Sequence, residues 1–75
     1  MGRYIRFFNK DDEEFVGEIQ INIDIETLQK KYNRINDPML FYSYPIKSED
    51  ASFYLQFLGN YNFDFSNFYY YLEYA

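Results

Sequence analysis

The sequence contains no cysteine, no histidine and no tryptophan. Without cysteine the fold has no disulfide framework and must be stabilised by packing, which suits a reducing compartment. Most catalytic and zinc sites use histidine or cysteine, and the serines of this chain have no histidine to activate them. We therefore expect no enzymatic activity, no metal site and no cofactor.

Long apolar runs and clustered basic residues are also missing. No stretch approaches the roughly 18 consecutive apolar residues of a membrane span, and the first residues lack a signal-peptide pattern. The seven lysines and arginines are dispersed, whereas nucleic-acid binding requires a cationic groove. These absences predict a cytoplasmic protein that contacts neither membranes nor nucleic acid.

Aromatic and acidic residues are abundant instead. Ten tyrosines and nine phenylalanines stand among 75 residues, and the net charge is −5. The length allows one domain, residues 1–75, in which large rings can fill a small core. So many phenolic hydroxyls are difficult to satisfy inside a small domain, so we expect several tyrosines at the surface. Rings beside carboxylates suit contact with a cationic protein.

The first part of the chain predicts an antiparallel hairpin. Residues 3–8 alternate as a strand, residues 9–13 form a polar turn, and residues 14–23 form the second strand. In the second strand one parity is apolar and predicts the core side, namely Phe15, Gly17, Ile19, Ile21 and Ile23. The other parity predicts the solvent side, namely Glu14, Val16, Glu18, Gln20 and Asn22.

Two helices are predicted after the hairpin. Asp24 predicts the cap of a first helix over residues 25–33. Ser48 predicts the cap of a second helix, and Gly59 is a natural residue to end it.

Two further segments complete the predicted sheet. Residues 39–44 form an extended segment or a short edge strand, and residues 68–74 alternate as a last strand. The order of elements predicts an α+β domain. Its small, mainly antiparallel sheet consists of the N-terminal hairpin plus the C-terminal strand, with two helices on one face.

The sheet face away from the helices carries the candidate binding residues. Acidic side chains in and beside the turn are joined there by solvent-side residues of the last strand: Asp11, Asp12, Glu13, Glu14, Glu18, Tyr69, Tyr71 and Glu73. An acidic run is often only a solvated turn. Tyrosines beside carboxylates on an exposed sheet favour a contact surface, because tyrosine is a frequent hot-spot residue.

The hairpin also carries a sequence motif. An aromatic-Phe-Asn-Lys run, a polar turn and an acidic-Phe-x-Gly-Glu run are supplied by Phe7, Phe8, Asn9, Lys10, Glu14, Phe15, Gly17 and Glu18. This pattern resembles the opening of the cloacin immunity family, small acidic proteins that neutralise ribosome-cleaving colicins. The tail from Phe63 to Glu73 looks like the end of small bacterial proteins associated with polymorphic-toxin immunity. The resemblance implies a bacteriocin or contact-dependent-inhibition immunity protein, with Glu14 and Glu18 as candidate contacts.

We therefore expect an immunity protein that binds a basic toxin of nuclease type, as a monomer or weak homodimer. Nucleases are commonly basic because their substrate is anionic, so an inhibitor of one is expected to be acidic. Two alternatives stay open. A nucleic-acid mimic would inhibit a host or phage nuclease, and a structural module would oligomerise through its aromatic last strand.

Overall fold

The computed structural model describes residues 2–75 and contains a four-stranded sheet with two helices. The strands are β1 (Arg3–Asn9), β2 (Phe15–Ile21), β3 (Tyr44–Ile46) and β4 (Phe68–Tyr74), and the helices are α1 (Ile25–Tyr32) and α2 (Ala51–Leu58). The strand order is β2-β1-β4-β3, and every neighbouring pair is antiparallel. The predicted α+β class is confirmed.

One face of the sheet packs against both helices to form the core. Ile5 of β1 pairs with Leu72 of β4, and both side chains are fully buried beside Leu28 of α1 and Tyr54 of α2. The complete buried cluster consists of Ile5, Ile21, Ile23, Leu28, Leu40, Tyr44, Ile46, Tyr54, Tyr70 and Leu72. Its strand members occupy alternate positions, so the intervening residues belong to the opposite face of the sheet.

The buried tyrosines keep their hydroxyls hydrogen-bonded. The hydroxyls of Tyr54 and Tyr32 bond to each other, and burial raises the pKa of both. The Tyr70 hydroxyl accepts the backbone N–H of Asp64 at 3.0 Å and lies 3.1 Å from the Tyr61 hydroxyl. Within residues 2–75 no buried side-chain nitrogen or oxygen lacks a partner. Paired phenols therefore allow more tyrosine in this core than unpaired hydroxyls would permit.

Helix α1 begins and ends where the sequence predicts. Asp24 occupies the N-cap position in an extended conformation, and its carboxylate accepts the Thr27 hydroxyl at 2.5 Å. At the other end Asn33 adopts a left-handed conformation with φ 47°, and its N–H donates to the Gln29 carbonyl at 2.8 Å. Asparagine tolerates this conformation better than most residues, which suits it to ending a helix.

The start of the second helix differs from the prediction at Ser48. A turn of 3₁₀ helix covers Ser48–Asp50, and α2 follows directly. The Asp50 carboxylate, rather than the Ser48 hydroxyl, accepts the backbone N–H of Lys47 at 2.9 Å. It also accepts Lys31 Nζ at 2.9 Å, which ties α1 to the beginning of α2. The Asp50 carboxylate, which binds both Lys47 and Lys31, therefore takes the place of the predicted serine cap.

The short edge strand lies later than predicted. Residues 39–43 are not in the sheet, whereas β3 pairs with β4 from Tyr44 to Ile46 and contains Pro45. Proline has no backbone N–H to donate, and an edge strand is one of the few places in a sheet that tolerates it.

A β-bulge in the hairpin overturns part of the predicted side-chain pattern. Phe7 pairs with Gly17 but Phe8 pairs with Phe15, so Val16 is an extra residue in β2. Phe15 therefore lies on the same face as Phe8 and is 56% exposed, and its predicted place in the core is wrong. The ring of Phe7 covers Gly17 so closely that a Cβ there would lie 3.1 Å from Phe7 Cζ.

Candidate functional site

The candidate site is the sheet face opposite the core, which we call the open face. Register places the following residues on it: Tyr4, Arg6 and Phe8 of β1, Phe15, Glu18 and Gln20 of β2, Pro45 of β3, and Tyr69, Tyr71 and Glu73 of β4. The buried residues of both helices pack against the other face of the sheet. The open face is thus a pleated surface that no helix covers.

An ion-pair cluster occupies the middle of the open face. Arg6 donates from Nε to Glu18 at 2.9 Å and from Nη1 to Glu73 at 3.1 Å, joining β2, β1 and β4. These hydrogen bonds raise the pKa of Arg6. The second oxygen of Glu73 accepts the Ser43 hydroxyl at 2.8 Å. Glu18 and Glu73 are therefore engaged within the chain and supply less free negative charge than the sequence suggested.

Aromatic rings fill the part of the open face nearest the hairpin turn. Phe8 meets Phe15 and Tyr71 edge-on, with ring centroids 5.7 Å and 5.8 Å apart. Tyr69 lies on the same side and is 43% exposed. This arrangement supplies apolar contact area and phenol hydroxyls at one end of the sheet.

The turn between β1 and β2, which we call the acidic tip, projects four exposed carboxylates: Asp11, Asp12, Glu13 and Glu14. Glu13 adopts φ 60°, and Asp12 accepts the backbone N–H of Glu14 at 3.0 Å. The backbone N–H of Lys10 donates to the Asn67 carbonyl at 3.0 Å, which ties the tip to the loop before β4. The tip is held next to the aromatic end of the open face.

A shallow groove of about 220 Å³ lies where the acidic tip meets the open face. Its walls are formed by Phe8, Glu13, Ser43, Tyr69, Tyr71 and Glu73. The lining therefore includes three rings and two carboxylates, and none of its residues is basic. Lys10 lines a neighbouring groove instead, with Nζ 5.3 Å from the centroid of the Tyr69 ring.

The sequence-predicted residues fall into two groups. Glu18, Tyr69, Tyr71 and Glu73 share the open face, and the acidic tip adjoins it. Glu14 does not share the face of Glu18, because the bulge reverses the alternation and gives Phe15 that side. The structure thus brings most of the set together but separates the two residues that the family resemblance singled out.

Three residues of the site were missed by sequence reasoning. Phe8 and Phe15 lie among the open-face rings, and Arg6 neutralises two of the predicted acids. The alternation of residues 3–8 does place Arg6 and Phe8 on one parity with Tyr4, and this pattern could have identified them. No local signal reveals that Val16 is the bulged residue.

A second exposed apolar region lies in the loop between α1 and β3. Ile35 is 90% exposed, and Met39, Phe41 and Tyr42 are exposed too. Asp37 organises this loop, because its buried carboxylate accepts the backbone N–H groups of Phe41 and Tyr42 and the Tyr44 hydroxyl. Asp37 is the one acidic residue among residues 33–43, so this loop lacks the cluster of exposed carboxylates found at the acidic tip.

Arg3 fastens the same loop to β1. Its guanidinium donates to the carbonyls of Leu40 and Met39, and its carbon lies 4.7 Å from the centroid of the Tyr74 ring. The Phe41 ring lies 5.8 Å away from it. The molecule thus holds one of its own arginines with a pair of rings and two oxygen acceptors.

Residues 2–75 contain neither a candidate metal cluster nor a candidate membrane-spanning helix. No group of three or more acidic, cysteine or histidine side chains there could hold a metal ion. No helix among residues 2–75 has the length and apolar character needed to cross a membrane.

Comparison with known protein families identifies a family model that matches nearly the whole chain. The family described as a domain of unknown function, DUF7683, matches residues 2–73, a range that includes the acidic tip and the open face. No curated protein and no solved structure matches the chain.

Proposed function

The chain belongs to the DUF7683 family, and we propose that it is an immunity protein that binds and neutralises a basic bacterial toxin domain. The toxin is of nuclease type and the interaction takes place in the cytoplasm. The open face and the acidic tip together form the binding surface.

The observation that carries this proposal is the uncovered aromatic end of the sheet beside four exposed carboxylates. A small domain needs its rings in the core, yet Phe15 and Tyr69 remain exposed while the core is closed on the other face. Exposed rings clustered with charged residues are a feature of protein contact surfaces. A solvated face without a partner gains nothing from them.

The distribution of charge supports a cationic partner. The chain has a net charge of −5, and the acidic tip places its carboxylates at an exposed end of the molecule. Such a field attracts a basic protein from solution and raises its association rate constant toward 10⁸–10⁹ M⁻¹s⁻¹ at low salt. Fast association is what a host needs before a toxin can cleave its nucleic acid.

The chemistry of the surface supports inhibition by steric occlusion. Carboxylates and rings can occupy the cationic cleft in which a nuclease binds the phosphates and bases of its substrate. The acids are concentrated at the tip rather than spread along the sheet. That clustering favours recognition of one basic partner over general mimicry of a nucleic-acid backbone.

Co-expression tests the proposal directly. The chain is expressed with the toxin-like domain encoded beside its own gene, and bacterial growth is followed with and without the chain. Rescue of growth and co-purification of a one-to-one complex are the expected results. Unchanged toxicity, or a neighbouring gene that encodes no toxin domain, contradicts the proposal.

A kinetic experiment with the same pair tests the role of the acidic tip. The double variant Asp11→Asn/Glu13→Gln should associate several-fold more slowly at low salt, with a shallower dependence of the rate on ionic strength. Glu26→Gln/Glu49→Gln removes the same charge from exposed positions near the helices and is the matched control. Equal slowing by both pairs would show that net charge alone, and not the tip, directs association.

A further inference from the structure

We propose that the groove at the junction of the acidic tip and the open face is a binding site for one arginine side chain of the partner protein. The groove is the space of about 220 Å³ between Glu13, Tyr69, Tyr71 and their neighbours. This inference rests on the proposed function, because it names the group of the basic partner that the surface receives.

The size of the groove suits a single side chain. Sites for drug-sized ligands and cofactors usually occupy about 300–1,000 Å³, and this groove is smaller and open on one side. At about 30 Å³ for each water molecule, it holds a handful of waters that an entering side chain would displace. A side chain that projects from a partner's surface fits such a space without any backbone rearrangement.

The chemistry of the lining selects a cation. The lining contains three aromatic rings, a group that attracts cations, and two carboxylates, whose oxygens accept hydrogen bonds. Glu73 is already engaged by Arg6 and Ser43, whereas the side chain of Glu13 has no hydrogen bond or ion pair with any residue from 2 to 75. Glu13 therefore supplies an unpaired carboxylate beside the rings of the groove, where a positive charge from a partner can bind.

The planar guanidinium is favoured over the ammonium group of lysine. A guanidinium stacks on aromatic faces and donates in a fixed fork, so it can use Glu13 and the phenol rings together. Two arginines of the chain itself are bound by a similar combination of aromatic rings and oxygen acceptors. Arg3 lies 4.7 Å from the Tyr74 ring and donates to two carbonyls, and Arg6 lies 5.5 Å from the Tyr4 ring and donates to two carboxylates.

The groove repeats this combination of rings and oxygens without a basic residue in its lining. Lys10 is a basic residue next to the groove, and its ammonium lies 5.3 Å from the centroid of the Tyr69 ring. A cation of the chain thus already lies beside one ring of the site, although Lys10 itself lines the adjoining groove.

An NMR titration of the whole chain with N-acetyl-arginine amide tests the assignment without any toxin. Saturable amide shifts should centre on Glu13, Tyr69 and Tyr71, and N-acetyl-lysine amide should bind more weakly. Shifts centred elsewhere, absence of saturable shifts, or equal binding of the two amides would overturn the proposal.

Two variants of equal charge provide the control. Glu13→Gln should raise the dissociation constant about three-fold, the size expected for one exposed ion pair, whereas Glu14→Gln should change it little. Equal weakening by both would mean that the tip acts as a diffuse field and the groove is no site.

A further variant, Tyr69→Leu, removes one ring of the wall and should weaken the arginine amide about three-fold through loss of a cation–π contact. An unchanged dissociation constant in this variant would argue against the ring's part in the site. Because the titration needs no partner, it can fail while toxin neutralisation succeeds. The reverse result, a working groove and no neutralisation, would count against the proposed function alone.

Discussion

Both faces of strand β4 carry tyrosine, but the two faces lie in different environments. Tyr70 and Leu72 are 2% and 1% exposed against the helices, whereas Tyr69, the residue before Tyr70 in the chain, is 43% exposed on the open face. Tyrosine is therefore used in two ways within one strand. On the covered face it fills the core and pairs its hydroxyl, and on the open face its ring meets a cation or another ring.

This contrast separates the residues that stabilise the fold from those available for binding. A chain of 75 residues has little core to spare, so each ring left in solvent lowers the apolar area buried on folding. The open face keeps such rings next to the acidic tip. We interpret that cost to stability as the requirement of a contact surface.

Truncation on the two sides of β4 should have the most unequal effects. Leu72→Ala removes a fully buried side chain, and we expect a loss of about 2–5 kcal/mol in the free energy of unfolding, enough to unfold much of so small a domain. Tyr69→Ala should cost no more than about 1 kcal/mol because Tyr69 is 43% exposed and lies outside the buried core cluster. Urea unfolding followed by circular dichroism measures both.

Tyr69→Ala should affect binding more than it affects stability. Tyr69→Ala is expected to weaken the complex with the toxin domain although it stays folded. A stable Leu72→Ala protein together with a strongly destabilised Tyr69→Ala protein would break the comparison between the faces.

A pH experiment tests the covered side through Asp37. Burial is the largest influence on this carboxyl and would raise its pKa, but hydrogen bonds from Tyr44, Tyr42 and Phe41 together outweigh it and hold the pKa below 3.8. A lowered folded pKa gives stability that is complete above the unfolded value and is lost as the pH falls through the folded value. Unfolding midpoints should therefore decline in acid, and Asp37→Asn should be less stable at neutral pH with a flatter acid dependence.

The hydrogen bond from Tyr44 to Asp37 should also make stability depend on pH in the alkaline range. Burial, together with the hydrogen bond to Asp37, raises the pKa of Tyr44 to about 12. A raised folded pKa gives stability that is present below the unfolded value, near 10, and is lost as the pH rises through the folded value. If Asp37→Asn and the parent chain had parallel pH profiles in acid, this carboxylate would not anchor the loop.

Much of the fold was predictable because local patterns and tertiary structure agree. Alternation in residues 68–74 gave the two sides of β4, and Asp24 with Asn33 marked the ends of α1. The edge strand was misplaced because its position depends on pairing with β4, a contact distant in sequence. Ser48 was misjudged as the cap because Asp50 is also recruited by Lys31, which belongs to the other helix.

The site was predicted in composition but not in detail. Tyr69 and Tyr71 followed from parity alone, whereas Phe15 required knowledge of the bulge at Val16. The neutralisation of Glu18 and Glu73 by Arg6 requires three strands in register, with Glu73 almost at the opposite end of the chain. Counting charges in the sequence therefore overstated the free negative charge on the open face of the sheet.

The ion-pair cluster on the open face should contribute modestly to stability. Glu73→Gln removes the charge that holds Arg6 and the Ser43 hydroxyl, and we expect a loss of about 0.5–1 kcal/mol because the pair is only partly screened from water. Glu14→Gln makes the same change in charge at a carboxylate without an ion pair among residues 2–75, and should leave stability unchanged. Equal unfolding free energies for the two variants would show that the ion pair between Arg6 and Glu73 does not stabilise the fold.

The smallest expected effect is a gain of binding at Lys10. Its ammonium lies over the Tyr69 ring, so Lys10→Gln should expose the ring and increase affinity for arginine amide about two-fold, within the range of one exposed cation–π contact. Lys30→Gln makes the same charge change on an exposed position of α1 and should have a smaller effect. A titration of both variants at one ionic strength compares them, and equal gains would mean that only net charge had changed.

The most direct test of the account is to map the surface through which the chain contacts the toxin domain that we propose as its partner. NMR cross-saturation from the bound toxin domain to the amide protons of the perdeuterated chain reports this surface residue by residue. We predict the strongest transfer at Phe8, Phe15, Tyr69 and Tyr71, together with the acidic tip. Strongest transfer at residues 35–42 or at the two helices would contradict the claim that the uncovered sheet face is the binding surface.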